Sequence, residues 1–447
     1  MFGTSGIRGR FGEDVTAATA LAVGRAVASN DNDRVVVGRD PRATGKLLVD
    51  VLSAGLRECG ADVGHLGELP SPTVARAVDW YDADVGITVT ASHNPPEDNG
   101  LKLWGEDGSA VVGTEQAAIE DRIRRNDYRM ASWDDIGTRH RFNGARDRHV
   151  EAIADEVAID PPLQVVVDVG HGSGRLTADA LRRLGCAVTT IDATPDGSFP
   201  SRPSEPTTES TELLQQTVAG SDAELGVAHD GDADRMLAVT ESGRFVPGDV
   251  LLALFARREA TAGSRVAIPI DVSMTVADEL AAVGADVTYT RVGDGYVAER
   301  TAERDVVFGG EPSGAWIWPD VTRCPDGPLA AAKLASLVAT DGSLDALVDD
   351  VPTVPIQRTA VRTQEKDEVV RKVTAALPDD ERVTDVDGIR IDVDGGWFLV
   401  RASGTEPLVR ITAEAREQSR MVSLLSTAEE LVHDAIEHEQ PEQRAVD

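Results

Sequence analysis

The sequence predicts an α/β protein of four domains around a shared cleft: three similar α/β domains with mixed sheets, then a smaller α+β C-terminal domain. Three observations lead there. The chain has 447 residues, too many for one ordinary domain. Strand and helix patterns alternate along most of it, the rhythm of largely parallel sheets. Four strands run straight into short polar, glycine-rich loops, one per block, and ligands sit outside strand ends in open α/β sheets.

The first block, 1–145, has apolar residues at helical spacing over 15–29 and a strand pattern over 34–37 that ends in the turn Gly38, Arg39, Asp40, Pro41. A helix over 45–59 stops at Gly60, and strands over 62–66 and 85–90 flank a helix over 72–80. The second block, 146–246, opens with a valine run over 164–169 and a glycine turn over 170–174. A helix to 184, a strand over 187–191, a Pro/Ser-rich loop over 195–206, a helix over 211–219 and strands over 225–228 and 236–240 follow. The third, 247–351, alternates helices with strands over 265–268, 286–291 and 306–309, then a helix over 329–338. Residues 352–355 read as a linker into the fourth, 352–447, with shorter strands over 388–392, 397–402 and 408–413 and a closing helix over 419–437.

Composition narrows the function. Acidic residues number 77 against 44 basic ones, a net charge of −33, and only five of the basic residues are lysine. The acid is spread along the chain, which disfavours nucleic acid as a partner, since a phosphate backbone wants a basic footprint. A strongly anionic surface on a folded chain suits concentrated salt, where screening shortens the Debye length to about 3 Å; loss of structure in low salt is expected. No run approaches the ~20 apolar residues of a membrane helix. The start lacks a signal pattern, and Cys59, Cys186 and Cys324 form no CxxC pair. The expectation is a soluble cytoplasmic protein with no membrane or nucleic-acid partner, monomeric or homodimeric. An anionic ligand must then find local positive charge.

Asp230, Asp232 and Asp234 alternate directly after a strand. Three hard oxygen ligands on one tight loop suit Mg²⁺ or Ca²⁺, and the bland reading is a solvated acidic turn. An EF-hand is a competitor because Glu241 falls at its twelfth position, but Arg235 stands where that loop needs glycine. Arg235 directly after the ligands favours a metal that meets phosphate. Ser92 sits in a strand-to-turn loop with His93, Asn94 and two prolines. By itself this is an ordinary turn, but a metal-bound seryl phosphate makes chemical sense beside a divalent ion. Arg401, Ser403, Gly404 and Thr405 compose a phosphate cradle, with Arg410 as a second charge; a plain hairpin turn is compatible with it. Glu311 and Ser313 suit sugar hydroxyls, although by themselves they read first as a structural turn. Gly170, Gly172 and Gly174, with Asp192 ending the next strand, imitate a dinucleotide fingerprint, yet the third glycine comes one residue early. They are read as a tight turn. Residues 3–9 read as a flexible glycine-rich loop bearing Arg8; the bland reading is a disordered N-terminus, but an apolar Ile7 hints at docking.

Together the loops resemble the α-D-phosphohexomutase superfamily. The resemblance rests on GTSGIRG at 3–9, TASHNPPEDNGLK at 90–102, DGDADR at 230–235, GEPSG at 310–314 and RASGTEP at 401–407, in that family's order over nearly the whole chain. It implies that Ser92 carries a phosphoryl group and that Asp230, Asp232 and Asp234 hold Mg²⁺, with the seryl phosphate as a further ligand. It also implies that Arg8 and Lys102 assist proton movement and that Arg235 steadies the metal loop. Glu311 and Ser313 would read sugar hydroxyls, and Arg401, Ser403, Gly404 and Thr405 would grip the non-reacting phosphate, with His93 and Arg410 in the substrate set. The implied reaction moves phosphate between the 1 and 6 positions of a hexose phosphate through a hexose 1,6-bisphosphate, which also serves as activator.

Glucosamine phosphate is slightly preferred over mannose or glucose phosphate. One departure bears on that choice: many family members carry His after the sugar-loop Ser-Gly, and here Ala315 and Trp316 follow Gly314. A Mg²⁺-dependent phosphatase, a sugar-phosphate-binding protein and, more remotely, a dehydrogenase stand as competitors.

Overall fold

The computed structural model of the chain describes residues 3, 6–377, 382–404 and 407–437. Its first sheet holds β1 (Ile7–Arg10), β2 (Arg34–Arg39), β3 (Asp62–Glu68), β4 (Val85–Val89), β5 (Asp98–Trp104) and β6 (Arg139–Arg141), in the order β1-β5-β4-β2-β3-β6. The second holds β7 (Gln164–Asp168), β8 (Ala187–Ile191), β9 (Leu225–His229) and β10 (Met236–Thr240), in the order β10-β9-β7-β8. The third holds β11 (Arg265–Pro269), β12 (Asp286–Thr290), β13 (Val306–Glu311) and β14 (Ala315–Ile317), in the order β12-β11-β13-β14.

One layout recurs in all three. Three parallel strands form the centre, and the last of them turns back through a hairpin into an antiparallel strand. The hairpins β4–β5, β9–β10 and β13–β14 therefore occupy equivalent slots. They carry the Ser92, Asp230 and Glu311 loops respectively.

The fourth sheet holds β15 (Ile356–Arg362), β16 (Val383–Thr384), β17 (Ile389–Val393), β18 (Gly396–Ala402) and β19 (Leu408–Ala415), all antiparallel, in the order β15-β19-β18-β17-β16. These strands are not short as expected: β18 spans seven residues and β19 eight, against five in the centre of the second sheet. The apolar face of the helix Gln418–Glu437 covers the sheet through Met421, Leu424, Leu425, Ala428 and Val432.

Residues 6–9 do not form a trailing segment. β1 pairs with β5, setting Arg8 opposite Gly100. Gly6 makes this approach with φ of +94°, and a Cβ there would lie 2.2 Å from the Leu101 carbonyl oxygen, so a larger residue cannot enter. The second and third sheets share one large core. In it Phe255 meets the edges of Trp316 and Trp318, each with a centroid separation of 5.3 Å; burying such a ring is worth about 1.5–3 kcal/mol.

The outer face of the fourth sheet docks on the third domain. Buried Glu414 accepts from Met274 N at 2.7 Å and Trp397 Nε1 at 2.6 Å, capping the helix Met274–Ala282 across the boundary. Arg390 lies over the rings of Trp397 and Tyr289 while donating to the Ile270 carbonyl at 2.9 Å. No described helix is long and apolar enough to cross a membrane.

Candidate active site

The Ser92 loop leaves β4 at the carboxyl edge of the first sheet. Ser92 adopts φ of +54°, a left-handed conformation that costs a non-glycine residue about 1–3 kcal/mol unless its surroundings fix it. They do. Its N–H donates to Thr90 Oγ1 at 2.8 Å, and its carbonyl accepts from Arg42 Nη2 at 2.9 Å and Ser204 Oγ at 2.7 Å. Arg42 is fully buried, paired with Asp40 at 2.9 Å, and donates also to the carbonyls of Asn94, Pro95 and Asp98. A guanidinium's five N–H groups suit this bracing of several carbonyls. The hydroxyl of Ser92 donates to Asp230 Oδ2 at 2.6 Å, joining loops 138 residues apart.

The Asp230 loop leaves β9 in the second sheet. Each of Asp230, Asp232 and Asp234 is buried and offers a carboxylate oxygen, and these oxygens lie within 4.8 Å of one another. Burial, then the neighbouring carboxylates, pushes the pKa of Asp230 well above the usual range. Burial opposes ionisation of Asp232 too, but Lys102 and the Ser71 hydroxyl hold it below the usual range. Lys102 Nζ donates to Asp232 Oδ2 at 2.7 Å and also to Asp234. Burial alone would strip its proton; the two carboxylates reverse that and raise its pKa. Asp232 Oδ1 and Asp234 Oδ1 are buried without a hydrogen-bond partner. Such orphaned anionic oxygens are costly unless a cation takes them, so the all-oxygen donor set fits a hard divalent ion. The EF-hand alternative falls, because β10 begins directly after Arg235 and pairs with β9.

Positive charge gathers around this loop. Arg235, burial, Arg8 and Lys102, in that order, depress His93 to about 2, so its imidazole is neutral. Arg8 Nε and His93 Nδ1 are buried and unpartnered. The cluster therefore supplies the local positive charge that an anionic group needs in a chain of net charge −33.

Met236 N donates to the Gly314 carbonyl at 2.9 Å, and Arg235 forms an isolated bridge with Ala315, so the Asp230 loop continues into the third sheet's hairpin. The sequence after Gly314 is thus spent on strand pairing. On that hairpin Glu311 accepts from Gly293 N at 2.6 Å and from Ser313 Oγ at 3.0 Å. Burial, with Asp294 nearby, raises Glu311 to about 7. In the fourth domain Arg401 lies 3.6 Å from Asp271 and 3.7 Å from Asp387. Arg401 and Arg410 are cross-strand partners and, with Arg358, line a cavity of about 280 Å³ against Asp271. Buried Ser403 donates its N–H to the Leu408 carbonyl at 2.9 Å, and among the described residues no atom lies within 4 Å of a Cβ placed at Gly404. Thr405 lies outside the described residues.

The glycines at 170, 172 and 174 serve packing. A Cβ at Gly170 would strike the Arg202 guanidinium at 2.3 Å, at Gly172 the Gly231 carbonyl oxygen at 2.6 Å, and at Gly174 the His229 ring at 2.8 Å. They let the first strand-to-helix turn of the second sheet press against the Asp230 loop, which fits the tight-turn reading.

Sequence reasoning passed over the braces. Arg202, paired with Asp168 at 2.8 Å, donates to the His229 carbonyl at 2.8 Å just before the Asp230 loop. Ser71 N donates to the Asp232 carbonyl at 2.9 Å. The loop over 195–206 supplies Ser204 and Phe199, whose ring lies 5.0 Å from the Arg42 guanidinium carbon. Arg42 follows a strand-ending turn at the same sheet edge as the motif loops, and that position was the available signal.

Models of the phosphoglucomutase/phosphomannomutase family match residues 1–130 as alpha/beta/alpha domain I, 147–243 as domain II, 247–354 as domain III and 358–430 as the C-terminal domain. The chain belongs to this family. This phosphoglucomutase/phosphomannomutase family member is 42% identical over 439 residues to a probable phosphoglucosamine mutase of Methanococcoides burtonii, with 98% of this chain and 99% of the relative covered. It is 43% identical to a probable phosphoglucosamine mutase of Methanothermobacter thermautotrophicus, covering 94% and 95%. Its fold matches the crystal structure of a phosphoglucomutase/phosphomannomutase family protein from Burkholderia thailandensis with a TM-score of 0.88 at 28% identity, covering 97% of each chain. Family membership makes it a phosphohexomutase, an isomerase.

Proposed function

We propose that this phosphohexomutase interconverts glucosamine 6-phosphate and glucosamine 1-phosphate, with Ser92 as the phosphoryl carrier and glucosamine 1,6-bisphosphate as the intermediate. The observation that carries the reading is the 2.6 Å hydrogen bond from Ser92 Oγ to Asp230 Oδ2: a serine of the first domain held at positive φ meets the carboxylate cluster of the second. The sugar is favoured by the names of the archaeal relatives.

Asp230, Asp232, Asp234 and the seryl phosphate would hold Mg²⁺. When bound, the ion neutralises charge on the phosphoryl oxygens during transfer. The chain's own residues do the rest. The bond between Ser92 Oγ and phosphorus breaks as the free sugar hydroxyl forms a new one, and the proton that this hydroxyl gives up ends on Ser92 Oγ, which leaves as a free serine hydroxyl. Lys102 keeps a proton at Nζ, so it acts as a cation and donor toward the departing serine oxygen, and Arg8 and Arg235 steady the phosphoryl group. Glu311 and Ser313 accept and donate to sugar hydroxyls. Arg401, Arg410 and the loop from Ser403 hold the other phosphate, so that turning the bisphosphate presents its second end to Ser92.

The test is a mutase assay in high salt with Mg²⁺ and a trace of hexose 1,6-bisphosphate. Glucosamine, mannose and glucose 1-phosphates run side by side while free phosphate is followed. Fastest conversion of the glucosamine ester without phosphate release is expected, and Ser92→Ala should abolish it. Preference for mannose or glucose phosphate would overturn the choice of sugar; steady phosphate release would replace the mutase with a phosphatase.

A further inference from the structure

Away from the cleft, the first domain carries a basic cavity that the reaction does not use. Its volume is about 550 Å³, within the range of small-molecule sites. Arg39, Lys46, Arg139 and Arg141 line it against one carboxylate, Asp50. That is four cations to one anion in a chain where acids outnumber bases 77 to 44. Asp50 pairs with Arg139 at 3.1 Å, and Glu68 pairs with Arg39 at 3.1 Å. Lys46 and Arg141 have no ion-pair partner among the described residues.

Strand geometry builds the site. Val37, His65 and Arg141 are register partners across the parallel strands β2, β3 and β6, and Arg139 stands two residues from Arg141 on the same face. A register shift between Val37 and Gly38 widens the edge beside Gly67. A hydrogen-bonded chain fixes the floor. Ser53 Oγ donates to the Val49 carbonyl at 2.6 Å, so it accepts from His65 Nε2 at 2.9 Å. That leaves His65 Nδ1 as acceptor toward Arg139 Nη2 at 3.4 Å. Val37 and Val49 supply apolar floor.

We infer that this cavity is a second anion site, separate from the catalytic cleft, for the phosphate or diphosphate group of a small metabolite. Lys46 and Arg141 hold the phosphate oxygens, Arg139 is oriented by His65, and the valine floor accepts the body of the ligand. The site has a route to the reaction. Arg39 Nη1 donates to the Asp40 carbonyl at 2.7 Å, and Asp40 anchors the Arg42 brace of the Ser92 loop. Occupancy at Arg39 therefore bears on the placement of Ser92.

The experiment titrates inorganic pyrophosphate, and in parallel adenosine 5′-diphosphate, into the full chain without Mg²⁺ at fixed salt, by calorimetry. The Arg401→Ala chain is used to weaken the fourth domain's phosphate loop. Saturable binding at this cavity is expected to remain, recognised as the share that the next pair of substitutions removes. Adding Lys46→Glu and Arg141→Glu, both exposed positions, should weaken it by about tenfold or more, because two charge-assisted contacts are lost. The Lys46→Glu/Arg141→Glu chain with Arg401 intact should keep its mutase turnover, which reports an intact fold. Isotherms unchanged by the pair, or no saturable binding in the Arg401→Ala chain, would overturn the inference. Tighter binding of the adenosine diphosphate would support the role of the valine floor.

Discussion

The hairpins of the first two sheets and those of the last two are built differently. The Ser92 and Asp230 loops are buried and cross-braced by Arg42, Ser204, Ser71, Lys102 and Arg202, each reaching from a distant part of the chain. The Glu311 loop has two hydrogen bonds to its carboxylate from nearby residues. Arg401 faces carboxylates only at 3.6 and 3.7 Å. Rigidity is concentrated in the half proposed to transfer the phosphoryl group, and looser contact is left in the half proposed to hold the sugar. Preorganised charge helps transfer most when it does not have to move.

The largest expected effect breaks the rigid half. Arg42→Ala leaves Asp40 buried without its partner, together with the carbonyls of the Ser92 loop, and should cost about 3–5 kcal/mol, read as a lower denaturant midpoint in high salt. A loss under about 1 kcal/mol would erase the contrast between the halves. Next, Arg401→Ala should leave the midpoint nearly unchanged while raising KM by about tenfold or more, the price of a charge-assisted phosphate contact, with kcat much less affected. A fall in kcat alone would place Arg401 in the chemistry instead. The smallest effect is a pH response. Glu311, raised to about 7, is protonated below that pH and a carboxylate acceptor above it. Substrate affinity should therefore improve a few-fold (about half a kcal/mol or more) as pH rises through about 7, relative to Glu311→Gln. Parallel KM profiles for the two chains would remove Glu311 from the sugar contacts.

Much of this was readable in the sequence because loops at strand ends are short, polar and local. The Asp230 triplet and the Ser92 turn lie where the strand patterns stop, and the alternation of helix and strand gave the layout of the second and third sheets. β1, β6 and β14 were not legible: each has three or four residues, too few to show a period of two. β5 is buried along both faces, so its pattern does not alternate. Arg42, Ser204 and Ser71 were missed for another reason. Their partners are 50, 112 and 161 residues away, and nothing local marks a serine or arginine as a brace. The surplus of acid hid the basic cavity, since Arg139 and Arg141 meet Lys46 only when the edge strand pairs with β3.

The repeated strand order has an evolutionary consequence. Three copies of one layout place three turns in the same slot, and the side chains of Glu311 and Ser313 bond only within the third domain, so they can be exchanged without removing a bond that braces the other two turns. If Glu311 and Ser313 read the sugar as proposed, a lineage can alter its diet by exchanging those two side chains while the braces of the first two turns stay in place.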